Sequence, residues 1–400
     1  MHHFVKQILF LSNGHGEDLN ASQVIKALHS LVPTLKIAAM PLVGMGSAYR
    51  TSGIPIIGPT QPMPSGGMVY MNPLRLFRDL WAGLLGLTIR QIRAVWRYSQ
   101  GCDLLVAVGD IVPIGIAHLT GRPYAAFLVS TSSYYEGRIK LPWLTQYCLR
   151  SARCQQIFTR DAYTAADLQR RGYRKALFAG YPIMDLLTPA GIDLQLSPAQ
   201  PMVALLPGSR LPEALHNLAL QLQLCQAISR LNPEVQFRAA LVPAIQAPEL
   251  EDLAQREGWH FQPSPPQLTK RLGDWTTRVY CYNHAFADIL HQCQLAIGMA
   301  GTAVEQAVGL GKPVIQIPGQ GPQFTYRFAE AQMRLLGCSV QTMGTGPATP
   351  QMIQQAAQRT IAVLQDAEYR SACLQNGQER TGSPGGSLQI ARHLQAWLSP

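Results

Sequence analysis

The chain has 400 residues, 47% of them hydrophobic and only 14% charged, which favours about two or three domains with ample core and excludes a disordered chain. Its formal net charge of +10 suits an anionic partner: a membrane surface, nucleic acid or a phosphorylated substrate. No DNA- or RNA-binding signature accompanies the charge, so nucleic acid is set aside.

In chain order, apolar residues 8–11 run into Ser12-Asn13-Gly14-His15-Gly16-Glu17-Asp18, and Val24, Ile25 and Leu28 follow at helical spacing. This predicts a buried strand, a tight glycine turn and a helix. The opening MHHFVKQ leads straight into that strand, which predicts no signal peptide. Further strands are predicted at 36–40, 104–108, 124–128 and 156–159, with helical patterns between them. Residues 181–201 contain TPAGIDLQLSPAQP, a Pro-, Gly- and Ser-rich linker. A second series of strands is predicted at 202–206, 237–241, 279–282, 295–298 and 314–317, and a final helix at 387–398. The alternation predicts an α/β chain of two Rossmann-like halves with parallel sheets and helices on both faces.

Residues 72–99, NPLRLFRDLWAGLLGLTIRQIRAVWRYS, carry Arg75, Arg78, Arg90, Arg93 and Arg97 against one acid, Asp79. The apolar run 80–89 is well short of the ~20 residues needed to span a bilayer. Two readings stay open: a helix lying in a membrane interface, or a core helix with a basic outer face. The eight cysteines are scattered with no CxxC pair, as reduced thiols of a cytosolic protein would be.

Two stretches carry chemistry. Val203-Ala204-Leu205-Leu206-Pro207-Gly208-Ser209-Arg210 is a strand ending in a Gly-Ser turn. Gly208 lets backbone N–H groups approach a phosphate, Ser209 donates a hydrogen bond and Arg210 clamps an anion. Later, a strand enters Gly298-Met299-Ala300-Gly301-Thr302, where a helix begins. The N–H groups around Gly301, Thr302 and Ala303 form an anion site, and Glu305, one turn in, is placed to accept from a ribose diol. A Gly-Lys-Pro turn, a strand ending Ile317-Pro318 and the loop GQGPQFTYRF with Gln323 follow. The sequence lacks a full G-x-G-x-x-G, so no dinucleotide cofactor is expected. It also lacks a D-x-D, so no metal is expected.

The 295–337 stretch resembles the C-terminal half of GT-B glycosyltransferases that use nucleotide sugars. LLPGSR, with Phe178-Ala179-Gly180-Tyr181-Pro182-Ile183-Met184-Asp185 before it, is similar to lipid A disaccharide synthase. The likeness is strong over 176–337 and loose over 1–150. Tyr181 stands where that family has a histidine. Asp18 falls on the Asp of the family's G-E-A-S-G-D loop, from which Gly14-His15-Gly16-Glu17 depart. The resemblance implies a GT-B fold whose two sheets face an interdomain cleft. Residues 1–190 would bind the acceptor, joined by the last helix (387–400), and residues 200–386 would bind the donor. It also implies an inverting, UDP-sugar-dependent transferase, cytoplasmic and peripheral on the inner face of the membrane. Because the departures fall on the acceptor half, a relative with a different lipid or lipid-linked acceptor is expected.

Such a reaction needs a base. Asp110, in VAVGDIVP at a strand's carboxyl end, matches the place of the family's G-I-D-A-P-D loop. His15 is the other candidate, since an imidazole suits base work near neutral pH. Each has a structural alternative, Asp110 as a helix cap and His15 as a loop hydrogen bonder. Asn13, Gly14, Gly16, Asp18 and Ser132 are expected acceptor contacts, and Glu17 a partner of the helix dipole. Residues 284–288 are expected to pack or cap a helix. Two other functions remain open on the same fold: a UDP-sugar 2-epimerase, and a non-catalytic binder of nucleotide sugar or lipid. The sugar, the acceptor and the choice between monomer and homodimer are not legible.

Overall fold

The structure, a computed structural model, describes residues 6–61, 84–319 and 325–398. Two compact units are present, one formed by Met1–Leu186 with Gly382–Pro400, the other by Leu187–Thr381.

The first unit runs β1 (Gln7–Ser12), α1 (His15–Leu31), β2 (Lys36–Pro41), α2 (Ser47–Thr51), α3 (Leu84–Ser99), β3 (Leu104–Val108), α4 (Ile111–Leu119), β4 (Tyr124–Leu128), α5 (Trp143–Arg150), β5 (Cys154–Thr159), α6 (Ala162–Arg170) and β6 (Ala176–Leu177). Its sheet has the order β2-β1-β3-β4-β5-β6, every pair parallel. Parallel strands are covered on both faces and so read as unbroken apolar runs; β3 and β4 are buried along their whole length. Alternate residues divide the faces. Leu9, Leu11, Leu105, Ala107, Ala126 and Leu128 share a core with Val95 of α3, Ile114 and Ala117 of α4, and Cys148 and Leu149 of α5. Helices α3, α4 and α5 therefore cover the same face.

Residues 72–83 of the arginine-rich stretch lie outside the described residues. Within α3, Leu87, Gln91, Val95 and Ser99 recur every fourth position and are buried. The outward side carries exposed Ile89, Ile92 and Trp96 between Arg90, Arg93 and Arg97. The outer face is thus apolar as well as basic.

The second unit runs β7 (Met202–Leu206), α7 (Glu213–Leu231), β8 (Gln236–Ala240), α8 (Ala247–Glu257), β9 (His260–Pro263), β10 (Pro266–Leu272), β11 (Trp275–Tyr282), α9 (Phe286–Gln292), β12 (Leu295–Gly298), α10 (Gly301–Gly309), β13 (Val314–Gln316), α11 (Tyr326–Leu336), β14 (Val340–Thr342), α12 (Pro350–Gln365) and α13 (Ala367–Thr381). Its strand order is β14-β13-β12-β7-β8-β11-β10-β9. This sheet departs from the expected all-parallel form, because β10 runs antiparallel to both β9 and β11. Edge strand β9 is largely exposed and β10 beside it is mostly polar, so neither has a continuous apolar run to announce it. The linker is tied down by Asp288, which lies inside α9; its carboxylate accepts the backbone N–H groups of Ala190, Gly191 and Ile192 at 3.2, 2.8 and 3.0 Å.

The last helix, α14 (Gly386–Leu398), belongs to the first unit. It packs against α1 on the face opposite α3–α5, and His393 meets Phe158 of β5 edge-on at 6.0 Å.

Candidate functional site

In each sheet the first strand has neighbours on both sides, so the winding reverses there: β1 between β2 and β3, β7 between β8 and β12. Loops at the carboxyl ends of such a strand pair diverge and leave a crevice, the usual ligand position in open α/β sheets. Most of the expected site residues fall at these two points.

In the first unit, Asn13 and Gly14 leave β1 and Gly109 and Asp110 leave β3. Asp110 is the N-cap of α4. Its Oδ1 accepts the N–H of Val112 at 2.9 Å and the side-chain amide of Asn13 at 2.7 Å. The backbone of Gly109 is left-handed (φ +130°), and a Cβ there would come within 2.0 Å of Asn13 Oδ1, so the Asn13–Asp110 bridge requires glycine. Glu17 Oε1 accepts from the hydroxyl of Ser130, just beyond β4, at 2.8 Å. Three adjacent strand ends thus bring together Asn13, Glu17, Asp110 and Ser130. Asp110 and Ser130 are exposed, and so is His15. His15 is not in a free loop as expected, since α1 begins with it.

Two expected acceptor contacts, Asp18 and Ser132, are buried. Asp18 is 2% exposed and its Oδ1 accepts from Ser12 Oγ at 2.6 Å, while the same hydroxyl lies 2.6 Å from Tyr49 Oη. Burial pushes the Asp18 carboxyl up to about 7, against the lowering effect of the Ser12 hydrogen bond and with a further push from Glu17. Ser132 is equally buried, donating to Asp161 at 2.7 Å and accepting the N–H of Tyr134 at 3.1 Å. Both side chains support the loops from beneath.

The 178–185 segment also turns inward. Asp185 Oδ1 and Oδ2 accept the N–H groups of Gly385 and Ser387 at 2.5 and 2.8 Å. That carboxylate therefore caps α14 at the end where a helix leaves its N–H groups unsatisfied. Tyr181 is buried, with the Arg160 guanidinium 5.0 Å from its ring centre.

In the second unit, β7 ends in Pro207-Gly208, with Gly208 in a left-handed conformation (φ +114°). Ser209 and Arg210 follow, both exposed. Met299, leaving β12, donates its N–H to Leu206 O at 3.0 Å, so the two loops depart side by side. Helix α10 then starts at Gly301, with Ala300 at its N-cap, no side-chain cap and no acid in its first turn. Its first N–H groups, those of Gly301, Thr302 and Ala303, form a positive helix end beside the Ser209-Arg210 turn. Glu305 is half-buried one turn on. Gln332 of α11 donates to Gly301 O at 3.1 Å and accepts from Gln316 of β13 at 2.5 Å. A buried amide chain thus fixes the entry to α10. Lys312 donates to the carbonyls of His291 and Cys293 at 2.9 and 2.8 Å, which places it in the frame of the unit. Gln323 lies outside the described residues.

No protein-family model matches the chain. The lipid-A-disaccharide synthase of Syntrophotalea carbinolica is 22% identical over 420 residues, covering 98% of this chain and 96% of that protein. Among solved structures, the spinosyn rhamnosyltransferase SpnG complexed with thymidine diphosphate has a TM-score of 0.61 at 14% identity, covering 97% of this chain and 100% of that one. The UDP-GlcNAc 2-epimerase from Neisseria meningitidis bound to UDP-GlcNAc has a TM-score of 0.56 at 14% identity, covering 98% and 100%. The chain has the GT-B fold. Its sequence likeness to lipid A disaccharide synthase extends over nearly the whole chain. Among the described residues no helix is long and apolar enough to cross a membrane.

Sequence reasoning missed Ser130 as the partner of Glu17. The pair joins residues 113 positions apart, and only the parallel neighbours β1, β3 and β4 bring them together.

Proposed function

We propose that this protein is an inverting glycosyltransferase that moves a sugar from a UDP-sugar to a lipid or lipid-linked acceptor at a membrane surface. The observation that carries this is the second unit's switch point, where the Gly208-Ser209-Arg210 turn lies beside the uncapped start of α10. That is the layout an anionic diphosphate needs, and the relatives in hand include nucleotide-bound proteins of this fold. In the reaction, Asp110 takes the proton of the acceptor hydroxyl, with His15 as the alternative base. The hydroxyl oxygen attacks the anomeric carbon as its bond to the diphosphate breaks. Arg210 and the N–H groups of Gly301, Thr302 and Ala303 hold the departing negative charge by preorganised electrostatics. Glu305 and Gln323 take the nucleoside side of the donor. Asn13, Gly14 and Gly16 line the acceptor side, and Asp18 and Ser132 brace it. The apolar and basic outer face of α3 supports membrane contact through the 72–99 stretch.

A second reading is favoured by one observation, the carboxylate of Glu17 close to the Asn13–Asp110 bridge. A UDP-sugar 2-epimerase needs more than one acid/base group on the sugar, and two carboxylates here converge. The test is thermal stabilisation by UDP, GDP, ADP, CMP and NAD, followed by UDP release from a UDP-sugar with and without a membrane lipid extract. A selective UDP shift with lipid-dependent release is the expected outcome. Epimerised UDP-sugar without lipid would replace the transferase by the epimerase. No shift with any nucleotide would leave a protein whose donor site is lost.

A further inference from the structure

Helices α4 and α5 pack against each other on the same sheet face as α3. The buried side of α5 carries Thr145, Cys148 and Leu149. The opposite side presents Trp143, Leu144 and Tyr147, which are 78%, 41% and 62% exposed. Spacings of three and four residues put them on one helical stripe. Tyr147 meets the ring of His118 on α4 at 5.4 Å, and the next residue, Leu119, is 73% exposed. Single exposed apolar residues are ordinary, but a contiguous group with two aromatics marks an interaction surface.

The charges around it have one sign. Residues 111–153 hold five Arg or Lys and a single acid, Glu136, and Glu136 is paired with Lys140. Arg138, Lys140, Arg150 and Arg153 are exposed around the apolar stripe. Arg153 is held at the patch, donating to His118 O at 3.2 Å.

We propose that the outer face of α4 and α5 is a docking surface for an anionic lipid bilayer. Trp143, Leu144, Tyr147 and Leu119 enter the headgroup boundary while Arg138, Arg150 and Arg153 meet the lipid phosphates. Tryptophan and tyrosine suit that boundary because one end of each ring is apolar and the other polar. Basic residues beside them add attraction that fades beyond a Debye length of ~8–10 Å at physiological salt. A nucleic acid would use the charges but give no partner to the two leucines. The surface uses residues outside the 72–99 stretch, although α3 covers the same sheet face, and it does not depend on the transferase reading.

The experiment is co-sedimentation of the full chain with vesicles of phosphatidylcholine alone and of phosphatidylcholine mixed with phosphatidylglycerol. It is run on the wild type, on Trp143→Ser/Leu144→Ser/Tyr147→Ser and on Arg138→Gln/Lys140→Gln. The wild type is expected to sediment with the mixed vesicles only. The apolar triple variant should bind at least about tenfold more weakly, with unchanged melting temperature and UDP response. The charge variant, whose side chains are solvent-exposed, should lose binding most at low salt. Triple-variant binding equal to wild type would overturn the proposal. So would a wild type that ignores vesicles but forms a dimer which the triple variant dissociates. A lost UDP response in the wild type would count against the donor site alone.

Discussion

The side-chain amide of Asn13 donates to Asp110 at 2.7 Å, joining the loops that leave β1 and β3 at the point where the strand order reverses. The bond spans 97 residues of sequence and holds the carboxylate that α4 also uses as its cap. Asp110 is thereby fixed in direction by one side chain and one backbone group. Replacing it with asparagine should lower turnover by about 10²–10⁴-fold if it is the base while the UDP-induced melting shift stays the same. Asn13→Ala removes the positioning bond together with a side chain on the acceptor side and should cost about tenfold in turnover, with the donor KM unchanged. Steady-state rates of UDP release check both, and an unaffected Asp110→Asn would move the role to His15.

Arg210→Ala should weaken UDP binding about 10- to 100-fold, because a hydrogen bond to a charged group contributes roughly 1.5–3 kcal/mol. Titration calorimetry with UDP measures this directly. Arg210 is exposed, so the melting temperature without ligand should not change.

Asp18 predicts a pH dependence. Its carboxyl titrates near 3.8 when unperturbed and at about 7 in the fold, chiefly because of burial. Between those values the folded chain holds a proton that the unfolded chain has released. Stability therefore falls as pH rises through that window and levels off above it. Asp18→Asn keeps an acceptor for Ser12 and carries no charge. Urea titrations should show it equal to wild type near about pH 4 and more stable by on the order of a few kcal/mol near about pH 8.

Asp185→Ala should destabilise the first unit by about 1–2 kcal/mol, the usual cost of losing an N-cap. Asp185→Asn, which keeps one acceptor oxygen, should lose less. The UDP response proposed for the second unit should be untouched, so a UDP shift of normal size alongside a lowered denaturant midpoint is the expected pair of results.

Much of the frame was legible because parallel strands in the middle of a sheet must be apolar along their whole length. The apolar runs at 104–108, 124–128, 202–206 and 295–298 coincide with β3, β4, β7 and β12. The strands β9 and β10, at one end of the second sheet, escaped because they lack a continuous apolar run. At the candidate site, glycine turns after strands marked loops that the fold places where the strand order reverses. They could not show which way a polar side chain turns. The burial of Asp18 and Ser132 was not legible, because the hydrogen-bonded groups around them draw in Tyr49, through Ser12, and Asp161, each about 30 residues away. Asp185 belongs to a motif-like segment, yet its partners Gly385 and Ser387 lie about 200 residues on.

Those distant partners bear on how the protein is made. The helix that finishes the first unit, α14, emerges only after Leu187–Thr381 has been synthesised. At roughly 5–20 residues per second that delay is on the order of 10–40 s. Throughout it, the side of α1 that α14 will cover stays wet, and the seats for Ile390, Ala391 and Leu394 are empty. A nonsense mutation anywhere upstream of Gly386 would leave the first unit without the apolar side chains of α14, however complete the second unit had become.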